Sequence, residues 1–192
     1  MATKAFNGDE ILLQRVKDLV AKHGINLIVE TGTYHGDTTL ELSKMVPLVA
    51  TIESNIEYYK IAAPILDTAT NLVRQIIGDS GKIMPSLLTQ CLADKILFFL
   101  DAHWNAYNPL IDELKSIAAA KIQPVILIHD FFVPGKSTVP GGPWGFDTYD
   151  GQDYNWEWVA PHVEAIYPNG FVKSYNDDYQ AFRGCLILEP KI

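Results

Sequence analysis

Four apolar runs and one mixed run punctuate the first 130 residues: Leu27–Val29, Leu48–Ile52, Ile96–Leu100 and Val125–Ile128, with Leu72–Ile77 interrupted by Arg74 and Gln75. Each is too short for a buried helix and is closed by turn or ionisable residues, which reads as a strand. Runs this uniformly apolar suit parallel strands covered on both faces, because a half-exposed strand would alternate. The stretches between them carry helical punctuation. Asn7 with Glu10 reads as the cap of a first helix whose apolar stripe is Ile11, Leu12, Val16, Leu19 and Val20, and Gly24 stops it. A second helix starts near Gly36 and stops before Pro47; Ser54 with Glu57 suggests a third cap, with that helix kinked or broken at Pro64. Asn108 caps a further helix that Pro109 opens, with Leu110, Ile111, Leu114, Ile117 and Ala118 facing a core. A Trp-rich helix near 154–167 and two last strands, about 171–175 and 185–189, complete the pattern. Alternating strand and helix predicts an α/β fold: a doubly wound, Rossmann-like, mostly parallel seven-stranded sheet with helices on both faces. Residues 1–192 read as one domain. The N-terminal helix (1–24) can cover the sheet or a partner subunit in a homodimer.

In open α/β sheets a ligand lies beyond the carboxyl ends of the strands. The residues there form one series: Glu30, Glu53, Asp79, Asp101, His129 and Asp130. Unpaired buried carboxylates are costly, so a charge at almost every central strand end points to a site. The first turn, Glu30-Thr31-Gly32-Thr33-Tyr34-His35-Gly36, adds two glycines four apart. Gly32 can take a backbone conformation closed to other residues, and Gly36 permits close packing of helix and strand. Glu53 follows Glu30 by 23 positions, near the spacing at which a carboxylate meets a ribose diol.

The Glu-x-Gly-Thr-Tyr-x-Gly wording resembles motif I of the class I S-adenosylmethionine (SAM)-dependent methyltransferases, and most resembles the small metal-dependent O-methyltransferases of the catechol, caffeoyl-CoA and macrocin type. The resemblance covers about residues 25–135. It implies that Glu30, Gly32, Thr33, Tyr34, Gly36 and Thr38 hold the methionine part of SAM. It implies that Glu53, with Ser54, binds the ribose, and that Asp79 and Ser80 contact adenine. Leu100-Asp101-Ala102-His103-Trp104 resembles the segment after strand four, where Asp101 would bind a divalent cation and border the cofactor. Ile128-His129-Asp130 resembles the segment that supplies a second metal carboxylate. Asp101 and Asp130 are thus the implied Mg²⁺ ligands. Two departures stand out: Phe131 replaces the Asn that normally follows the second metal Asp, and Asn105 stands near where the catechol-type enzymes carry a general-base Lys.

Methyl transfer to a hydroxyl needs a proton acceptor, and His103 is the first candidate, with Asp101 orienting it and His129 competing. The Gly-, Pro- and aromatic-rich segment 133–153 reads either as a lid over an acceptor, with Trp104, Trp144 and Tyr149 as walls, or as a structural cover. The expected activity is O-methylation of a small phenolic or sugar-like hydroxyl. A SAM- or nucleoside-binding protein that does not methylate is the alternative. The glycine spacing disfavours a nicotinamide dehydrogenase. A net charge of −8 argues against nucleic acid as a partner, because phosphate binding needs clustered Lys and Arg. No apolar run approaches the ~20 residues of a membrane span. Two isolated cysteines, Cys91 and Cys185, and no apolar leader fit a reduced, cytoplasmic chain.

Overall fold

The computed structural model describes residues 5–91, 93, 95–102, 108–176 and 182–191. Among the described residues nine strands form: β1 (Leu27–Thr31), β2 (Leu48–Glu53), β3 (Leu72–Ile77), β4 (Ile96–Leu100), β5 (Val125–His129), β6 (Thr148–Tyr149), β7 (Gln152–Asp153), β8 (Phe171–Tyr175) and β9 (Cys185–Pro190). The six α-helices are α1 (Glu10–His23), α2 (Asp37–Ser43), α3 (Ile56–Leu66), α4 (Ser80–Thr89), α5 (Leu110–Ala119) and α6 (Trp156–Ile166). Seven strands make one sheet in the order β3-β2-β1-β4-β5-β9-β8, and β6 and β7 form a separate hairpin. β1 to β5 pair in parallel, while β9 is antiparallel to both of its neighbours. The strand order reverses at β1 and β4, which places a crevice beyond their carboxyl ends.

The two-residue period of each strand divides its side chains between two cores. Val29, Phe98, Leu100, Ile126 and Ile128 pack with Met84 of α4, Leu114 and Ile117 of α5, and Val159 and Val163 of α6. Ile28, Leu97, Phe99 and Leu127 face the other way, against Leu12, Val16 and Leu19 of α1 and Leu42 of α2. The N-terminal helix therefore covers the sheet, the first of its two predicted uses. Phe98 is fully buried, and truncating such a ring to Ala costs about 3–5 kcal/mol.

The helix starts differ by one or two residues from the sequence reading. α1 is capped by Asp9, whose Oδ1 accepts the Leu12 N–H at 2.8 Å; Asn7 has a left-handed φ of 56° and lies before the cap. α3 is capped by Asn55 rather than Ser54, with Oδ1 accepting the Glu57 N–H at 2.8 Å. Pro64 does not break α3, which runs on to Leu66. Its ring falls in the last turn, where few further backbone bonds depend on it. Asn108 accepts the Leu110 N–H at 3.0 Å and holds the start of α5 as expected.

Candidate functional site

The turn after β1 is fixed by backbone chemistry. Gly32 has φ +86°, and a Cβ there would lie 2.5 Å from the Asp101 carbonyl oxygen. Conformation and contact both exclude a side chain, so the ends of β1 and β4 approach as closely as backbone allows. Tyr34 is also left-handed, which turns its N–H onto Glu53 Oε2 at 2.8 Å. The Asn55 N–H donates to the other oxygen, Oε1, at 2.8 Å. Glu53 is thereby held between the turn after β1 and the start of α3, and each carboxylate oxygen can accept a second hydrogen bond. Gly36 caps α2 with φ +85°, and its close neighbours are Ala62 and Leu66 of α3. The intimate packing that it permits is helix to helix, not helix to strand.

Glu30 lies beneath this turn, 1% exposed. Its Oε2 accepts the Thr39 hydroxyl and, at 2.6 Å, the Thr51 hydroxyl. Thr33 joins through a 2.6 Å hydroxyl contact with Thr51. Oε1 has no partner among the described residues. Burial pushes the Glu30 carboxyl up to about 8, against the opposing hydrogen bonds of Thr39 and Thr51. Thr38 points elsewhere: its hydroxyl accepts the Phe6 N–H at 3.0 Å and anchors the N-terminal turn.

A cavity of about 750 Å³ opens beyond the strand ends, within the range of small-molecule sites. Of the residues assigned to the site from the sequence, Gly32, Tyr34, Glu53, Ser54, Ser80, Asp101 and Asp130 line it, while Glu30, Thr33, Gly36, Thr38, Asp79 and His129 do not. The Ser80 hydroxyl donates to the buried Glu113 Oε1 at 2.5 Å. Asp79 precedes α4 and pairs with Lys82 at 2.8 Å, which places its carboxylate against that helix. Asn7, Tyr58, Asp147 and Arg183 also border the cavity; the sequence reading took Asn7 for a helix cap and assigned none of the four to the site. Tyr34 stacks on His35 and meets Tyr58 edge-on at 4.6 Å, forming an aromatic cluster.

The β4 and β5 ends meet at a charged cluster. His129 is 2% exposed, and its Nδ1 lies 3.0 Å from Asp101 Oδ1 and 3.4 Å from Asp130 Oδ1. Burial alone would lower the imidazole; the Asp101 and Asp130 carboxylates outweigh it and hold His129 well above its ordinary value. Ligand atoms of Asp101, His129 and Asp130 lie within 4.8 Å of one another. Arg183 donates from Nε to Asp130 Oδ1 and from Nη2 to Asp147 Oδ1. Burial disfavours its charge, but Asp130 and Asp147 raise it further above an already high value.

The segment 133–153 is stitched to this cluster. Asp147 N–H donates to the Asp130 carbonyl at 2.9 Å, Tyr154 N–H to Asp147 at 2.9 Å, and Gly184 N–H to Gly145 at 2.8 Å. Asp147, not an aromatic residue, is its contribution to the cavity wall. Trp144 instead donates from Nε1 to the Asn176 carbonyl at 3.1 Å, and Tyr149 packs on the core. His103, Trp104 and Asn105 lie outside the described residues.

No family model matches the sequence, and no curated protein resembles it at the sequence level. Solved structures do. The O-methyltransferase TomG of Streptomyces achromogenes, bound to SAM, superposes with TM-score 0.63 at 18% identity, covering 95% of this chain and 80% of that one. An O-methyltransferase of Bacillus cereus, bound to SAH, gives TM-score 0.59 at 15% identity, covering 100% and 84%. CalS10, a SAM-bound amino pentose methyltransferase of Micromonospora echinaspora, gives TM-score 0.60 at 12% identity, covering 94% and 91%.

Proposed function

We propose that this chain, which has the Rossmann-like fold of the class I SAM-dependent methyltransferases, binds SAM and methylates a hydroxyl of a small molecule. One observation carries the reading. The Gly32 turn, the clamped Glu53 and the Asp101 carboxylate border a single cavity at the point where the strand order reverses. Gly32 lets the β1 turn lie directly against the Asp101 backbone, so both strand ends border the same cavity. Each Glu53 oxygen can accept a second hydrogen bond, from a diol, and Ser54 and Ser80 stand at the start of α3 and α4 for the base.

When bound, SAM would supply an electrophilic methyl on a sulfonium. The protein's part is to place an acceptor oxygen in line with it, which is the largest contribution available to such a transfer. Asp101 borders the cavity and is the residue placed to take the hydroxyl proton at a carboxylate oxygen. His129 lies behind it, buried, and orients that carboxylate through Nδ1. Tyr34 and Tyr58, in edge-on contact, form an aromatic wall of the cavity.

A magnesium ion fits this donor set poorly. Mg²⁺ demands near-octahedral oxygen ligands at about 2.0–2.1 Å and keeps several waters. Here one of three donors is an imidazole nitrogen, already 3.0 Å from Asp101, and Asp130 Oδ1 already accepts from the Arg183 guanidinium.

The experiment is release of S-adenosylhomocysteine from SAM across a panel of phenolic and sugar acceptors. Asp101→Asn should abolish turnover of any active acceptor while SAM affinity stays within a few-fold. Undiminished turnover in that variant would overturn the assignment of Asp101, and a panel inactive despite tight SAM binding would favour a non-methylating binding protein.

A further inference from the structure

We propose that Arg183 is a built-in cation that occupies the place of a divalent metal in this site, so that the acceptor oxygen is held by a guanidinium. The inference rests on the methyltransferase reading above. Asp130 stands where the resembled enzymes supply a metal carboxylate, yet its Oδ1 accepts from Arg183 Nε, and Nη2 of the same group is held by Asp147. A guanidinium carries five N–H donors. These two bonds leave donors on a group that itself borders the cavity.

The backbone around Arg183 is built to hold it there. A Cβ at Gly184 would lie 1.9 Å from the Phe131 carbonyl oxygen, and one at Gly145 would lie 2.8 Å from Arg183 Nη1. Gly145 N–H donates to Phe182 at 3.0 Å, and Phe131 N–H donates to Gly184 at 2.9 Å. Asp130 sits at φ +54°, a conformation that costs a non-glycine residue energy and persists only where the surroundings over-determine it. Two glycines, one strained aspartate and a segment otherwise free to be a loose lid all converge on one side chain. A structural ion pair at a loop base would not need the guanidinium to face the cavity. A fixed cation for an oxygen ligand does, and it suits an acceptor that presents a hydroxyl with a neighbouring oxygen.

Charge decides the exclusion. A second cation placed on Asp130 would lie within a few ångströms of the guanidinium, where like charges repel by several kcal/mol at the effective dielectric of a partly buried site. The test is binding of Mn²⁺, followed by electron paramagnetic resonance, to SAM-saturated protein; it needs no acceptor and no turnover. The wild type should show no tight Mn²⁺ site. Arg183→Gln should bind Mn²⁺ more tightly by roughly tenfold or more. Adding Asp130→Asn to that variant should remove the gain. Calorimetry with SAM and circular dichroism check that each variant is folded. A tight Mn²⁺ site in the wild type, or no gain in Arg183→Gln, overturns the proposal. Failure of SAM to bind the wild type overturns the methyltransferase reading instead, and the Mn²⁺ titration, repeated without SAM, then reads the exclusion of metal by Arg183 alone.

Discussion

Replacing Glu30 by Gln removes an ionisable group from the floor of the site without changing its shape. The carboxyl is 1% exposed, and burial raises it from 4.5 to about 8. A raised carboxyl means that the folded chain binds the proton more tightly than the unfolded one. Its contribution is then largest at acid pH and falls as pH rises from 4.5 towards 8. Between 4.5 and pH 7 the unfolded chain ionises while the folded chain does not, a span of about 2.5 pH units at 1.36 kcal/mol each, or about 3 kcal/mol. Gln keeps an oxygen to accept from Thr39 and Thr51, so its remaining cost, an amide N–H₂ where Oε1 stood, does not vary with pH. Urea unfolding of both proteins at pH 5 and pH 7 measures the difference. Stability of Glu30→Gln relative to wild type should rise by about 2.5 kcal/mol between the two, because part of the span from 4.5 lies below pH 5. An unchanging gap would refute a protonated, buried Glu30. Because each pH compares the two proteins directly, titration of His129 or Glu189 cancels.

Gly32→Ala should lower stability by several kcal/mol and abolish SAM binding, since the new Cβ meets the Asp101 carbonyl oxygen at 2.5 Å; a thermal melt and calorimetry check this. Glu53→Gln should weaken SAM by about 1.5–3 kcal/mol, the worth of hydrogen bonds to a charged group, and should also lower the melt, because its amide N–H₂ would face the Tyr34 or the Asn55 N–H. Burial would raise the Glu189 carboxyl, but hydrogen bonds from His23 and Lys22 outweigh it and hold it below the usual range. That stability is present above the unfolded value and lost as pH falls through the folded one, so Glu189→Gln should flatten the acid limb of a pH–stability curve. Gly184→Ala should destabilise more than an ordinary surface substitution, because the Phe131 carbonyl lies in the way; a loss of unfolding free energy below about 0.5 kcal/mol in denaturant titration would contradict it.

The sheet was legible because its signal is local. Val29, Phe98 and Ile126 sit in runs whose length and uniformity leave a parallel strand as the simple reading, and the turn after β1 carries its own glycines. Caps were legible only to within a residue or two: Asp9 and Asn55 compete with neighbouring Asn7 and Ser54, and the winner is set by which side chain reaches a free N–H. Arg183 carried no local signal. It meets Asp130 from 53 positions away, through a segment whose composition suggested a lid. Only the tertiary hydrogen bonds of Gly145, Asp147 and Gly184 reveal that this segment is a wall. The same is true of Glu113, whose pairing with Ser80 depends on how α4 and α5 pack.

Calorimetric titration of SAM, with a nicotinamide dinucleotide as the contrast, measures the central claim most directly. SAM should bind the wild type at a single site, and Glu53→Ala should weaken it sharply. Binding of the dinucleotide with no binding of SAM would contradict the account.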